Sequence, residues 1–382
     1  MKVANTRKVN DRITAYMERE ELNTLIGMAL SAPISMDEII FEEPQYLLES
    51  AKYFKESMKE DGVSYTDDEA TIAMMISSVA NETLRALAGE VLLPSVILND
   101  ITKASKVFHK GCFDDNAYLK NIHFDNQKLG RFELSHSSYV KYELMMYSTP
   151  ENKYNGVMIP RIGTFDHRFK YPNIKENGNA WMSITPNEIF TMEDSIKEAT
   201  GNVLTLGCGM GYYAYMVSEK DDVSHVAIVE KEPEVIELFT TFILPQFAHK
   251  DKVTIIQADA FEYMESLVDG TFDYCFADIW RGNTDTVPYI KLKQICKKFK
   301  QTKMVYWIED ALMATIIGFV YVIILEEFYK NQGQPMPKVD AIMEEKQFKM
   351  DYLKDLLKDA EITRAEHVDY YMDYRNIIAL MS

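Results

Sequence analysis

The stretch Val203-Leu-Thr-Leu-Gly-Cys-Gly-Met-Gly-Tyr-Tyr213 constrains this chain more than any other. Val203, Leu204 and Leu206 form an apolar run that predicts a buried strand. Gly207, Gly209 and Gly211 predict a tight turn, and Tyr212 onward predicts a helix. Glycines suit such a turn because it demands positive φ and lets a ligand lie against bare backbone. The following helix directs its N-terminal N–H groups toward that place. A G-x-G-x-G pattern on its own is better read as a purely structural turn.

Two later segments narrow the reading. His225-Val-Ala-Ile-Val-Glu230 predicts a second strand ending in an acid, about 20 residues past the last glycine. Nucleoside-binding α/β folds put a ribose-binding carboxylate there. Val253-Thr-Ile-Ile-Gln-Ala-Asp259 predicts a third strand, and Asp259 at its end can accept from an adenine amine. Further strands are expected near 272–278 and 303–308, with helices between and right-handed crossovers.

On these motifs the segment from about Trp181 to Ser382 resembles the class I S-adenosylmethionine-dependent methyltransferases. The resemblance implies a Rossmann-like α/β fold with a seven-stranded sheet. It implies S-adenosylmethionine as cofactor, held by Leu206, Gly207, Cys208, Gly209, Gly211, Glu230, Lys231, Asp259, Ala260 and Asp278. Asp278, at the end of the fourth strand, is the expected catalytic base or acceptor anchor. Thr185, Glu188, Tyr212, Tyr213, Trp280 and Arg281 are the expected acceptor pocket. No metal ligand set is expected.

The chain departs from the family in two places. Thr205 stands where many members carry an acid, and Asp278-Ile-Trp-Arg-Gly282 is not the Asn/Asp-Pro-Pro-aromatic pattern of amino-directed DNA methyltransferases. The expected function is therefore methyl transfer to a small-molecule acceptor, with a cationic amine among the candidates. Three alternatives stay open. A spermidine-synthase-like aminopropyltransferase lacks its amine-binding acids here, at Met210 and Arg281. A metal-assisted O-methyltransferase would use Asp278 with Glu309 and Asp310. A non-catalytic cofactor-binding scaffold would need none of these groups.

The organisation expected from texture is threefold. Residues 1–110 read as an α-helical N-terminal domain, 111–180 as a small β-containing segment or lid, and 181–382 as the cofactor domain. An insertion is expected near 326–358. Ser35-Met-Asp-Glu38 and Thr66-Asp-Asp-Glu69 match the capping box, and Met74 and Met75 fall on a helical core stripe. Thr185-Pro186 predicts a helix start, the helix running to about Ala199. Arg364–Tyr371 and Tyr374–Met381 read as an antiparallel pair closing the sheet.

Composition bounds the partners. The 382 residues carry a formal net charge of −18, which repels phosphate backbones, so no nucleic acid is expected. The Lys291–Lys303 cluster reads as a solvated helix face. Four scattered cysteines make neither a disulfide framework nor a zinc site, and with no apolar segment at the N-terminus a cytoplasmic location is expected. The uncharged run Ala311–Leu325 spans about 15 residues against the roughly 20 of a bilayer crossing, and reads as a helix buried against the sheet, not a membrane span. A homodimer is left open.

Overall fold

The computed structural model describes residues 1–35, 44–60, 62, 64–88, 92–154, 156–336 and 344–381. They divide into two units, Met1–Met17 with Asp194–Ser382, and Glu18–Glu193.

The first unit is built on a parallel sheet. Its strands are β1 (Gly201–Leu206), β2 (Val223–Glu230), β3 (Val253–Gln257), β4 (Tyr274–Ala277) and β5 (Lys303–Tyr306), in the spatial order β3-β2-β1-β4-β5. Residues Val203, Leu204, Leu206, Val226, Ile228, Cys275 and Phe276 are essentially fully buried, as expected of strands covered on both faces. All five strands lie where the apolar runs predict them.

The seven-stranded expectation is corrected. Ala365–Met372 and Tyr374–Met381 are helices, so among the described residues this sheet has five strands, all parallel. The burial spacing explains why. Val368 and Met372, and Ile377 and Met381, are the buried residues of these two segments. A strand would bury the residue midway in each pair as well, but Tyr370 and Ala379 are exposed, which leaves only the helical spacing.

The run at Ala311–Leu325 belongs to a longer helix, Glu309–Asn331. At 23 residues it is long and apolar enough to cross a membrane, and 39% of its most apolar window is buried. Its packing partners include the helices Thr286–Cys296, Glu344–Leu356, Ala365–Met372 and Tyr374–Met381 and the strand Lys2–Val3, where the sequence suggested the sheet. The expected insertion contains the end of this helix and the helix Glu344–Leu356, while residues 337–343 lie outside the described ones. Lys2–Val3 pairs in parallel with Glu361–Ile362, which ties the start of the chain into this unit.

The second unit joins what the sequence divided. Helices Pro44–Glu60, Asp67–Ala88 and Ser95–Ala104 share one core with the β segment. Ile72, Met75, Ile76, Leu84, Ile97 and Ile101 pack with Tyr142, Leu144, Val157, Ile159 and Ile162. A three-stranded sheet (Lys106–Phe108, Val157–Phe165, Met145–Lys153) and an antiparallel four-stranded sheet complete it. The capping box at Thr66 forms in full. The Glu69 carboxylate accepts the Thr66 N–H at 2.7 Å, and the Thr66 hydroxyl accepts the Glu69 N–H at 3.2 Å. Residues 36–38 of the other box, and Asp61 of the Asp61-Gly62 break, lie outside the described residues.

Candidate functional site

Strand register lines up the chemistry. Leu206 pairs with Val229 on one side and Ala277 on the other, and Ala277 pairs with Tyr306. Glu230 pairs with Gln257. The next residues along, Gly207, Asp278 and Trp307, therefore emerge at one edge of the sheet with Glu230. The edge is closed by backbone hydrogen bonds: Gly207 N–H to Val229 O at 2.8 Å, Asp278 N–H to Leu206 O at 2.9 Å, and Trp307 N–H to Ala277 O at 2.9 Å. Strand order reverses between β1 and β4. Doubly wound sheets open a ligand crevice at that reversal, outside the carboxyl ends of the strands.

All three glycines of the turn have positive φ, +97° at Gly207, +49° at Gly209 and +69° at Gly211. The reason for two of them lies within the protein. A Cβ on Gly207 would run into the carbonyl oxygen of Asp278, and one on Gly211 into the ring of Phe239. The Gly209 N–H has no acceptor among the described residues. Thr205, the departure from the family acid, donates its hydroxyl to the Gly207 carbonyl at 3.2 Å and so braces the turn. The helix that follows, Tyr212–Ser218, is only two turns long.

Glu230 is buried, and its carboxylate accepts three backbone N–H groups. These come from Cys208 at 3.0 Å, Lys231 at 2.8 Å and Glu232 at 2.9 Å. Asp259 caps the helix Ala260–Ser266: its Oδ1 accepts from Phe261 N–H at 2.8 Å and Glu262 N–H at 3.3 Å, while no bond engages Oδ2 among the described residues. Leu206, Cys208 and Ala260 are buried beside these acids, and the side chain of Lys231 is exposed. Burial pushes the Cys208 thiol well up from its ordinary range.

Asp278 is half-buried, and among the described residues no hydrogen bond or ion pair engages its carboxyl group. Burial pushes it from an ordinary 3.8 up to about 7.

Several expected pocket residues are used otherwise. The ring of Tyr213 stacks on Phe276 at 3.9 Å, and its hydroxyl pairs with Ser195 at 3.0 Å, inside the core. Tyr212 is also buried. Trp280 is 5% exposed and donates its indole N–H to the Trp307 carbonyl at 3.2 Å, packing edge-on against Tyr289. Aromatic residues next to a site are also good core residues, and here the core claims them. Arg281 is exposed, its backbone N–H donating to Asp285 at 3.3 Å. Thr185 and Glu188 fall in the other unit, at the start of the helix Pro186–Glu198.

Glu309, a candidate metal ligand in one alternative, is occupied. Its Oε1 accepts from Tyr289 at 2.6 Å and from Lys293 at 2.8 Å. Among the described residues no group of three His, Cys, Asp or Glu side chains is arranged to hold a metal ion. Sequence reasoning missed Ile308, a β-branched residue at φ +48° that turns the chain from β5 into the helix Glu309–Asn331. It also missed Thr315 and Lys349, which donate to the carbonyls of Asn283 and Thr284 at 2.9 Å each. Nothing in their local sequence signals these long-range contacts.

No family model matches the chain, and no curated protein matches it. Solved structures do. A spermidine synthase from Thermotoga maritima is 17% identical, with 36% of this chain and 49% of that one covered and a TM-score of 0.27. A Staphylococcus aureus structure assigned as a caffeoyl-CoA O-methyltransferase is 19% identical, covering 45% and 72%, with a TM-score of 0.28. A precorrin 8w decarboxylase from Methanobacterium thermoautotrophicum is 20% identical, covering 33% and 67%, with a TM-score of 0.26. The match spans about half the length of the spermidine synthases. The solved structures that this chain matches thus include spermidine synthases and O-methyltransferases, proteins of the class I S-adenosylmethionine-dependent methyltransferase fold.

Proposed function

We propose that this protein binds S-adenosylmethionine at the carboxyl ends of β1 to β4 and catalyses methyl transfer to a small-molecule acceptor. The observation that carries the reading is the row of groups at the strand-order reversal: the Gly207–Gly211 turn, Glu230, Asp259 and Asp278 at one sheet edge.

The residues present fit an adenosine-bearing cofactor. A carboxylate offers about four acceptor positions. Glu230 uses three and keeps one for a ribose hydroxyl. The unengaged Oδ2 of Asp259 suits an adenine amine, and the Gly209 N–H suits a ligand oxygen. The cofactor, when bound, supplies a methyl group already activated by the sulfonium charge. What the chain must then do is align the acceptor and exclude water. Asp278, with its carboxyl raised to about 7, is poised to take a proton from an acceptor or to hold a cationic amine near neutral pH.

The alternatives find less support. Met210, where an aminopropyltransferase would need an acid, is fully buried, and Glu309 is already ion-paired. The test is calorimetry of the full chain with S-adenosylmethionine and S-adenosylhomocysteine, followed by assays with decarboxylated cofactor and putrescine. Micromolar binding lost in Gly209→Val supports the reading. No heat of binding up to millimolar cofactor would leave a scaffold as the better description.

A further inference from the structure

Lys349, on the helix Glu344–Leu356, is 5% exposed. Its Nζ donates to the carbonyl oxygen of Thr284 at 2.9 Å and lies 5.7 Å from the centre of the Phe319 ring. Among the side chains that the structure describes, which exclude those of residues 344–348, no carboxylate pairs with it. An ammonium group has three donors, and taking it out of water is expensive unless it is well paired.

Thr284 belongs to the segment 278–285, which begins at Asp278. One end of this segment is tied to the sheet through Asp278 N–H and Leu206 O. Its other anchors are side-chain bonds. Thr315 holds Asn283, Trp280 reaches the Trp307 carbonyl, and Lys349 holds Thr284. Among these, Lys349 alone comes from the stretch that the sequence marked as an insertion.

We propose that Lys349 is a positioning residue, whose buried ammonium holds the 278–285 segment so that Asp278 stays at the crevice beside the Gly207 turn. This rests on the reading of that crevice as the transfer site. The insertion then supplies one side chain to the support of the acceptor loop, and its removal frees the loop without disturbing the sheet.

The test is hydrogen exchange on the full chain, without cofactor, in wild type, Lys349→Met, Lys349→Gln and Lys349→Arg. Peptides covering 278–286 and 203–213 are followed. Loss of one hydrogen bond to a charged group predicts exchange about tenfold or more faster at 278–286 in the Met variant. The 203–213 peptide should stay within about twofold, and Arg should restore most of the protection. Unchanged exchange at 278–286 overturns the proposal, as does equal acceleration in both peptides. If the Met variant does not fold, the Gln variant gives the same comparison. S-adenosylmethionine binding by wild type separates the two ideas. A loosened loop in a protein that binds no cofactor removes the transfer-site reading and leaves the loop anchor standing.

Discussion

The Glu230 carboxylate accepts the Cys208 backbone N–H at 3.0 Å, so the acid that ends β2 ties down the glycine turn that ends β1. The residue expected to meet a ribose is thus first a structural brace. Glu230→Ala should destabilise the cofactor-free protein by about 1–3 kcal/mol, the scale of hydrogen bonds to a charged group. Urea denaturation without ligand checks this. Unchanged stability, with only cofactor affinity lost, would mean that the bonds to Cys208, Lys231 and Glu232 contribute little.

The glycines separate in the same way. Gly207→Ala puts a Cβ into the Asp278 carbonyl at a φ of +97°, and neither backbone can yield cheaply. A loss of about 3 kcal/mol or more is expected. Gly209 lies at φ +49°, a left-handed conformation that alanine adopts for about 1–2 kcal/mol. Gly209→Ala should therefore lose about 1–2 kcal/mol of stability, less than Gly207→Ala, while weakening cofactor binding. Paired denaturation and calorimetry distinguish a turn shaped by the protein from one shaped by a ligand.

Much of this edge was legible in the chain because β1 to β4 are each an apolar run closed by a glycine or an acid. The same economy hides other features. Segments 364–371 and 374–381 contain β-branched and aromatic residues that fit a strand, and the helices show in the burial of Val368 with Met372 and of Ile377 with Met381 while Tyr370 and Ala379 between them are exposed. The pairing of Val3 with Ile362 joins opposite ends of the chain, beyond any local pattern. Tyr213 and Trp280 were read as pocket residues because their chemistry suits a pocket, but it suits a core equally well.

Asp278 gives a prediction in pH. Its carboxyl is raised from 3.8 to about 7 by burial, so the folded state keeps a proton that the unfolded chain releases. Below pH 4 both states are protonated and the group has no effect. Between about 4 and 7 the folded state loses stability as pH rises, and above 7 the penalty is constant. Asp278→Asn removes that penalty. At pH 8 it should be more stable than wild type by about 1–3 kcal/mol, a range lowered for the partial exposure of the group. Near pH 4 the two should coincide. A difference that does not change with pH would contradict the raised carboxyl.

Lys293 and Glu309 form a poorly exposed ion pair at 2.8 Å, with their side chains 13% and 28% exposed. Lys293 also lies 4.4 Å from the centre of the Tyr306 ring. Removing only the acid leaves an uncompensated ammonium in a low-dielectric setting, so Glu309→Leu should cost about 3–5 kcal/mol. Replacing both, Lys293→Met with Glu309→Leu, should recover most of that, because two desolvation costs vanish together. The double-mutant cycle by chemical denaturation is the measurement, with a coupling energy near zero as the contrary result. It also bears on chemistry. A Glu309 committed to Lys293 and Tyr289 is a poor metal ligand, so cofactor binding in the wild type should be indifferent to chelator.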